Sequence, residues 1–148
     1  MTRQQIISEV KKYFKINELV CDHIFNAKRD GAWNFLDTDY LHALLVIRRD
    51  ILAAPMVCNN GVSTQRGMRC NKCDIVRRKT NVYISAHILG KAGDFTVSGM
   101  TAEEARRKIK ASAALLPCPI RIEKDVDWLH FDVRSQDGYS CKVYEFKG

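Results

Sequence analysis

Proline is scarce in this 148-residue chain, at three residues, and glycine reaches only eight. That shortage excludes a collagen-like fibre and a Pro/Gly-rich disordered tail. No apolar run approaches the roughly 18 residues of a membrane span, so no membrane insertion is expected. Residues 1–12 contain no long apolar stretch of the kind that directs secretion, which predicts synthesis in the cytoplasm without a signal peptide. Repeats, low-complexity tracts and linkers are also missing, and the length suits one domain over residues 1–148. Six cysteines are present, but the chain is too long and too rich in core-forming residues to need a disulfide framework, and they read as reduced thiols. Cys70-x-x-Cys73 is half of a structural zinc motif. No second Cys-x-x-Cys or Cys-x-x-His stands at matching spacing, so the pair reads as loop thiols.

What is present is basic and amphipathic. Twenty-four Lys and Arg against 17 Asp and Glu give a formal charge of +7, which suits an anionic partner: nucleic acid, an acidic polymer or a bacterial envelope. No helix-turn-helix, zinc-finger spacing or aromatic platform supports nucleic acid, which is not expected as a partner. Arg77-Arg78-Lys79 reads as a solvated basic loop. Ile6, Val10 and Phe14 mark one helical face. Asp37 caps a second helix carrying Tyr40, Leu44, Ile47 and Ile51. Thr101-Ala-Glu-Glu104 is a capping box opening a third helix that runs through Leu116 to Pro117. Strand signals fall at 82–84, 93–97, 119–123, 129–134 and 142–146, and Asp137-Gly138 predicts a hairpin joining the last two. The fold class is therefore α+β, a mainly antiparallel β-sheet flanked by helices. Residues 59–81 form a long loop of the sort that carries function.

The chemistry gathers in two places. His87 and Asp94 have six residues between them, and a bend at Gly90 returns the carboxylate to the imidazole. Later, His130, Asp132 and Arg134 alternate with Phe131 and Val133 as on a half-buried strand, with His130 facing away from the apolar side. Two imidazoles and a carboxylate suit a catalytic Zn²⁺ with an open fourth position, one ion per chain. Asp127, three residues before His130, stands where a general base would not occupy the coordination sphere. Singly, each residue has an ordinary reading as a satisfied histidine or a solvated acid. Asp132 is suited to fix an arginine or a metal-bound imidazole from behind, and Trp128 reads as a packing residue.

Ser85-x-His87-x-x-Gly90-x-Ala92-x-Asp94 followed by Asp127-Trp128-x-His130 resembles the signature of the zinc D-Ala-D-Ala carboxypeptidase family. These are metallopeptidases of bacterial cell walls and phage endolysins that share a fold with hedgehog signalling domains. The likeness extends from about Phe14 to the last strand and is nearest the small branch of bacteria and phages. It implies His87, Asp94 and His130 as zinc ligands, Asp127 as catalytic base and Ser85 as a residue lining the substrate pocket. The family also places an arginine in a Gly-Tyr-Arg-like turn; Gly67-Met-Arg69 is the nearest match, with Arg66 a close rival. Met68 and the inserted Cys70–Cys73 stretch depart from that pattern.

The implied activity is zinc-dependent hydrolysis of amide bonds in peptidoglycan stem peptides. The alternative is a catalytically silent metal-containing module that binds cell wall or virion. Action on the wall would follow release through a holin or association with a virion.

Overall fold

The computed structural model describes all 148 residues as an α+β arrangement. The first half is mostly helical: α1 (Arg3–Val10), α2 (Ile16–Leu19), α3 (Asp22–Lys28), a 3-10 stretch over Arg29–Phe35, and α4 (Thr38–Val46), which loosens into a π turn over Ile47–Ile51. Strand β1 (Met56–Val57) and the short α5 (Asp74–Arg77) bracket the long loop. Then come β2 (Ala92–Val97), α6 (Ala102–Ala111), β3 (Ile120–Lys124), β4 (Leu129–Asp132) and β5 (Val143–Lys147). The caps read from sequence are in place. Asp37 accepts from the amides of Asp39 and Tyr40, and Thr101 and Glu104 close their reciprocal box. The third helix ends at Ala111 rather than Leu116, whose segment continues as a 3-10 turn.

The five strands form one sheet in the order β1-β2-β4-β3-β5, antiparallel except that β5 runs parallel to β3. Two expectations are corrected. Residues 82–84 are not a strand: Val82 and Ile84 are 87% and 67% exposed, with neither an edge to pair with nor a face to bury. The Asp137-Gly138 turn exists, with Gly138 at positive φ, but the strands beside it do not pair. Both edges of β4 are taken by β2 and β3, so β5 passes over to the free edge of β3.

One apolar cluster of 28 residues joins the inner faces of α1 and α4 to one face of the sheet. Phe95 and Phe131 stack at 5.7 Å, with Tyr40 5.4 Å from Phe131. Period-two alternation then sends Asp94, His130, Asp132 and Arg121 to the opposite face. That face is also buried, under the loop 58–90, because β4 is central and all four of its residues are inaccessible.

Candidate metal centre

Asp94 on β2 and His130 on β4 are direct cross-strand partners, a relation that brings side chains on one face within about 5 Å at their Cβ atoms. His87 arrives from the turn preceding β2. Gly90 closes that turn at φ +68, and a Cβ there would stand 2.2 Å from the Phe35 carbonyl oxygen. Only glycine meets both demands. His130 Nδ1 stands 2.7 Å and His87 Nε2 3.4 Å from the same oxygen, Asp94 Oδ1. All three side chains are buried, and the grouping is able to hold a metal ion.

The outer nitrogens are held as firmly. His87 Nδ1 donates to the Gly67 carbonyl at 2.8 Å. A carbonyl only accepts, so the neutral ring carries its proton on Nδ1 and turns a bare Nε2 toward the Asp94 carboxylate. His130 Nε2 lies 2.9 Å from Asp132 Oδ2, leaving that imidazole between two carboxylates. A neutral His130 can donate to only one of its two carboxylates, and the His87 Nε2–Asp94 contact has no proton to share, so a cation or an added proton would complete the set. Burial opposes the charge on His130, but the Asp132 and Asp94 carboxylates prevail and raise its pKa to about 9. Burial likewise works against ionised Asp94, and the close approach of the His130 and His87 rings holds its pKa below the usual carboxylate range. Asp132 is lowered in the same way, against burial, by His130 and Arg121.

Behind this trio runs a support that crosses the sheet. Asp132 has no exposed side chain and receives a two-pronged bond from Arg121 at 2.8 and 2.9 Å, plus the Arg134 amide at 3.0 Å. Phe146 of β5 lies 4.3 Å beneath the Arg121 guanidinium and edge-on to His130 at 5.6 Å. Asp132 thus meets both alternatives raised for it, an arginine and an imidazole. Arg121 and Phe146 were not singled out from sequence. The alternation Ile120-Arg121-Ile122-Glu123 carried the signal, an arginine on the same face as the candidate ligands once the strands pair.

Of the other sequence candidates, Arg66 and Arg69 line a cleft of about 410 Å³ together with Gln65, Asp94 and Trp128 among others, while Ser85 and Asp127 do not. Arg69 Nη2 is 3.7 Å from Asp94 Oδ2, while Nε donates to the Gln65 carbonyl and Nη1 to Tyr83 Oη. Arg66 donates instead to the Cys58 carbonyl at 3.1 Å and to Thr96 Oγ1 at 3.2 Å. Ser85 Oγ is buried without a hydrogen-bond partner. Asp127 is exposed in the turn 125–128 and borders a separate depression with Glu103 and Arg106. Buried Arg106 clamps this turn through the carbonyls of Val126 and Trp128 at 3.0 and 3.2 Å. Trp128 is not a core packing residue: it is 37% exposed and forms part of the cleft wall.

A second grouping able to hold a metal ion joins Cys21 and His23 to Cys70 and Cys73. The reading of Cys70 and Cys73 as isolated loop thiols is therefore corrected. Their partners lie about 50 residues upstream in a Cys-x-His pair, a spacing outside the patterns sought. No family model, curated protein or solved structure matches the chain, so the functional reading stands on this geometry and on the motifs.

Proposed function

We propose that the chain is a zinc-dependent peptidase of the D-Ala-D-Ala carboxypeptidase type, with a hedgehog-like fold, that hydrolyses amide bonds in peptidoglycan stem peptides. The observation that carries the reading is the convergence of His87 Nε2, Asp94 Oδ1 and His130 Nδ1, with the outer ring nitrogens fixed by Gly67 and Asp132. Catalytic zinc favours three protein donors of these types, each imidazole held from behind. Donors around a tetrahedral zinc lie roughly 3.3 Å apart, close to the 3.4 Å between His87 and Asp94.

Zinc held by these donors supplies Lewis acidity toward a peptide carbonyl and acidifies water. The remaining tasks fall to the chain's own residues. Asp127, next in sequence to Trp128 of the cleft wall and in the turn that Arg106 clamps, would accept a proton from the attacking water and return it to the leaving amine, a role that requires its side chain to turn from the neighbouring depression toward the cleft. Arg69, already fastened by Gln65 and Tyr83, presents its remaining donors to a substrate carboxylate or to charge developing on the carbonyl oxygen. Arg66 is the poorer candidate because it is turned to the Cys58 carbonyl and Thr96, whereas Arg69 Nη2 lies 3.7 Å from Asp94 Oδ2. Ser85, buried and outside the cleft lining, would contact a peptide only if the turn carrying it opened.

A charge of +7 favours approach to an anionic wall, reached after release through a holin or in association with a virion. No helix is long and apolar enough to cross a membrane. Mass spectrometry of muropeptides before and after treatment with zinc-loaded protein tests the proposal, since the mass lost names the bond. Asp127→Asn should keep its metal and lose turnover by about 10²–10⁴-fold. Undiminished cleavage by that variant would remove Asp127 from the mechanism. Tight binding to sacculi with no cleavage by wild type would favour the silent binding module.

A further inference from the structure

Outside the cleft, two short segments bring three thiols and an imidazole together. Cys21 is the residue before α3 and His23 lies in its first turn. Cys70 and Cys73 close a turn through the Cys73 amide and Cys70 carbonyl at 3.1 Å, and Cys73 then begins α5. Cys21 Sγ is 3.6 Å from Cys70 Sγ, and His23 Nδ1 is 3.9 Å from Cys73 Sγ. All four donor atoms lie within 4.8 Å of one another. Sulfur atoms sharing a tetrahedral zinc at about 2.3 Å are separated by roughly 3.75 Å, whereas a disulfide requires about 2.05 Å. The observed spacing is that of ligands around a common ion.

The backbone supports the same assignment. The Cys70 amide donates to Cys73 Sγ and the Lys72 amide to Cys70 Sγ, both at 3.4 Å, contacts that favour thiolate over thiol and orient the sulfurs. The two arms are also registered by main chain: the Cys21 amide donates to the Met68 carbonyl and the Met68 amide to the Leu19 carbonyl, each at 2.8 Å. Cys21 and Cys73 are buried while His23 is exposed at the rim, leaving a way in for a metal.

We propose that Cys21, His23, Cys70 and Cys73 form a second, closed metal site of Cys₃His type that binds Zn²⁺ structurally. Four protein donors complete the tetrahedron and leave no position for water or substrate, so this site does no chemistry of its own. Its role is to staple the segment 67–73 to the start of α3. That segment carries the Gly67 carbonyl that holds His87, and Arg69 on the cleft wall.

The test uses full-length protein and does not depend on any activity. Elemental analysis should find two zinc ions per chain in wild type and one in either Cys70→Ser/Cys73→Ser or His87→Ala/His130→Ala. After cobalt substitution, wild type and the histidine variant should show thiolate-to-cobalt charge-transfer absorption, and the cysteine variant should lose it. Should the cysteine variant fail to fold, titrating wild type with a mercurial thiol reagent gives the same information, by releasing one zinc to a chromogenic chelator. Absence of charge-transfer bands in wild type, loss of all metal with His87→Ala/His130→Ala, or a Cys21–Cys70 disulfide in a non-reducing peptide map would each overturn the assignment.

Discussion

The His87–Asp94–His130 centre and the Cys21–His23–Cys70–Cys73 cluster solve opposite problems. The first is built on the sheet: two of its donors face each other across β2 and β4, and each outer nitrogen is pinned by a group that is itself buried or hydrogen-bonded. The second has no sheet beneath it. It draws on the beginnings of two helices and a turn, joined by a single backbone bridge. On the proposed reading the first centre keeps one position free for substrate, and such a centre needs its geometry imposed from outside, as Asp132, Arg121 and Phe146 would impose it. A cluster that fills its own tetrahedron needs only that its arms reach, because the metal completes the geometry.

The largest effect that separates the two is expected from Arg121→Met. It leaves Asp132 buried without its guanidinium, and losing one partner of a buried pair costs about 3–5 kcal/mol. Chemical denaturation should show that loss across the whole chain, with the sulfur-bound metal retained until unfolding. Cys70→Ser should instead lower hydrogen-exchange protection mainly around residues 66–76 and spare β2, β3 and β4. If both variants lowered global stability alike, the division between an imposed and a self-completed site would be wrong.

Gly67→Ala should give an intermediate effect that reaches both sites. A Cβ at Gly67 would stand 2.2 Å from the Leu19 carbonyl oxygen, a backbone atom that cannot swing aside. The strand-like contact of Met68 with Leu19 and Cys21 must therefore shift, carrying the His87 acceptor and the Cys70–Cys73 turn with it. Disturbing such supporting contacts commonly costs about 10–100-fold in metal affinity. Competition with a chromogenic chelator should show weaker binding at both sites. Weakening of the sulfur site alone would mean that Gly67 does not govern the orientation of His87.

The same contrast explains what could be read from the sequence. The N, N, O trio was legible mainly through the resemblance of its two motif halves to a family signature, and period two on residues 129–134 put His130 and Asp132 together on one face opposite Phe131. The helix caps and four strands were legible from local spacings of this kind. Arg121 was not, because its meeting with Asp132 depends on which strand flanks β4. The hairpin expectation failed on that same information: a turn at Asp137-Gly138 says that the chain reverses, not that the neighbouring edge is vacant. The cysteine cluster stayed hidden because its halves are joined only by the Val20–Met68 bridge. Short β1, two residues paired to β2, has no sequence period to detect.

The smallest expected effect is a pH slope that is present only while the sheet-built centre is free of metal. In the metal-free protein His130 is flanked by Asp94 and Asp132, with Arg121 and Arg69 on the far sides of those carboxylates, and its pKa is raised from 6.5 to about 9. The folded state therefore binds a proton that the unfolded state has released. This contribution to stability is complete below pH 6.5 and disappears as pH rises toward 9, with a slope of at most about 1.4 kcal/mol per pH unit for one proton. Burial also pushes the thiols of Cys21 and Cys58 up to about 12, but their decline has the same sign and begins only near the ordinary thiol value of 9.0. Denaturation midpoints taken between pH 7.5 and 8.5 lie below the thiols and above the range of His42, whose pKa burial lowers from 6.5, and so isolate His130. Metal bound through His130 Nδ1 removes this slope, because the ligating nitrogen of the folded state then has no proton to lose, so zinc-loaded Cys70→Ser/Cys73→Ser protein, which lacks the thiolate site, should keep a nearly level stability across the same interval. Chelated and loaded samples with parallel slopes would show that His130 Nδ1 is not where metal and proton compete.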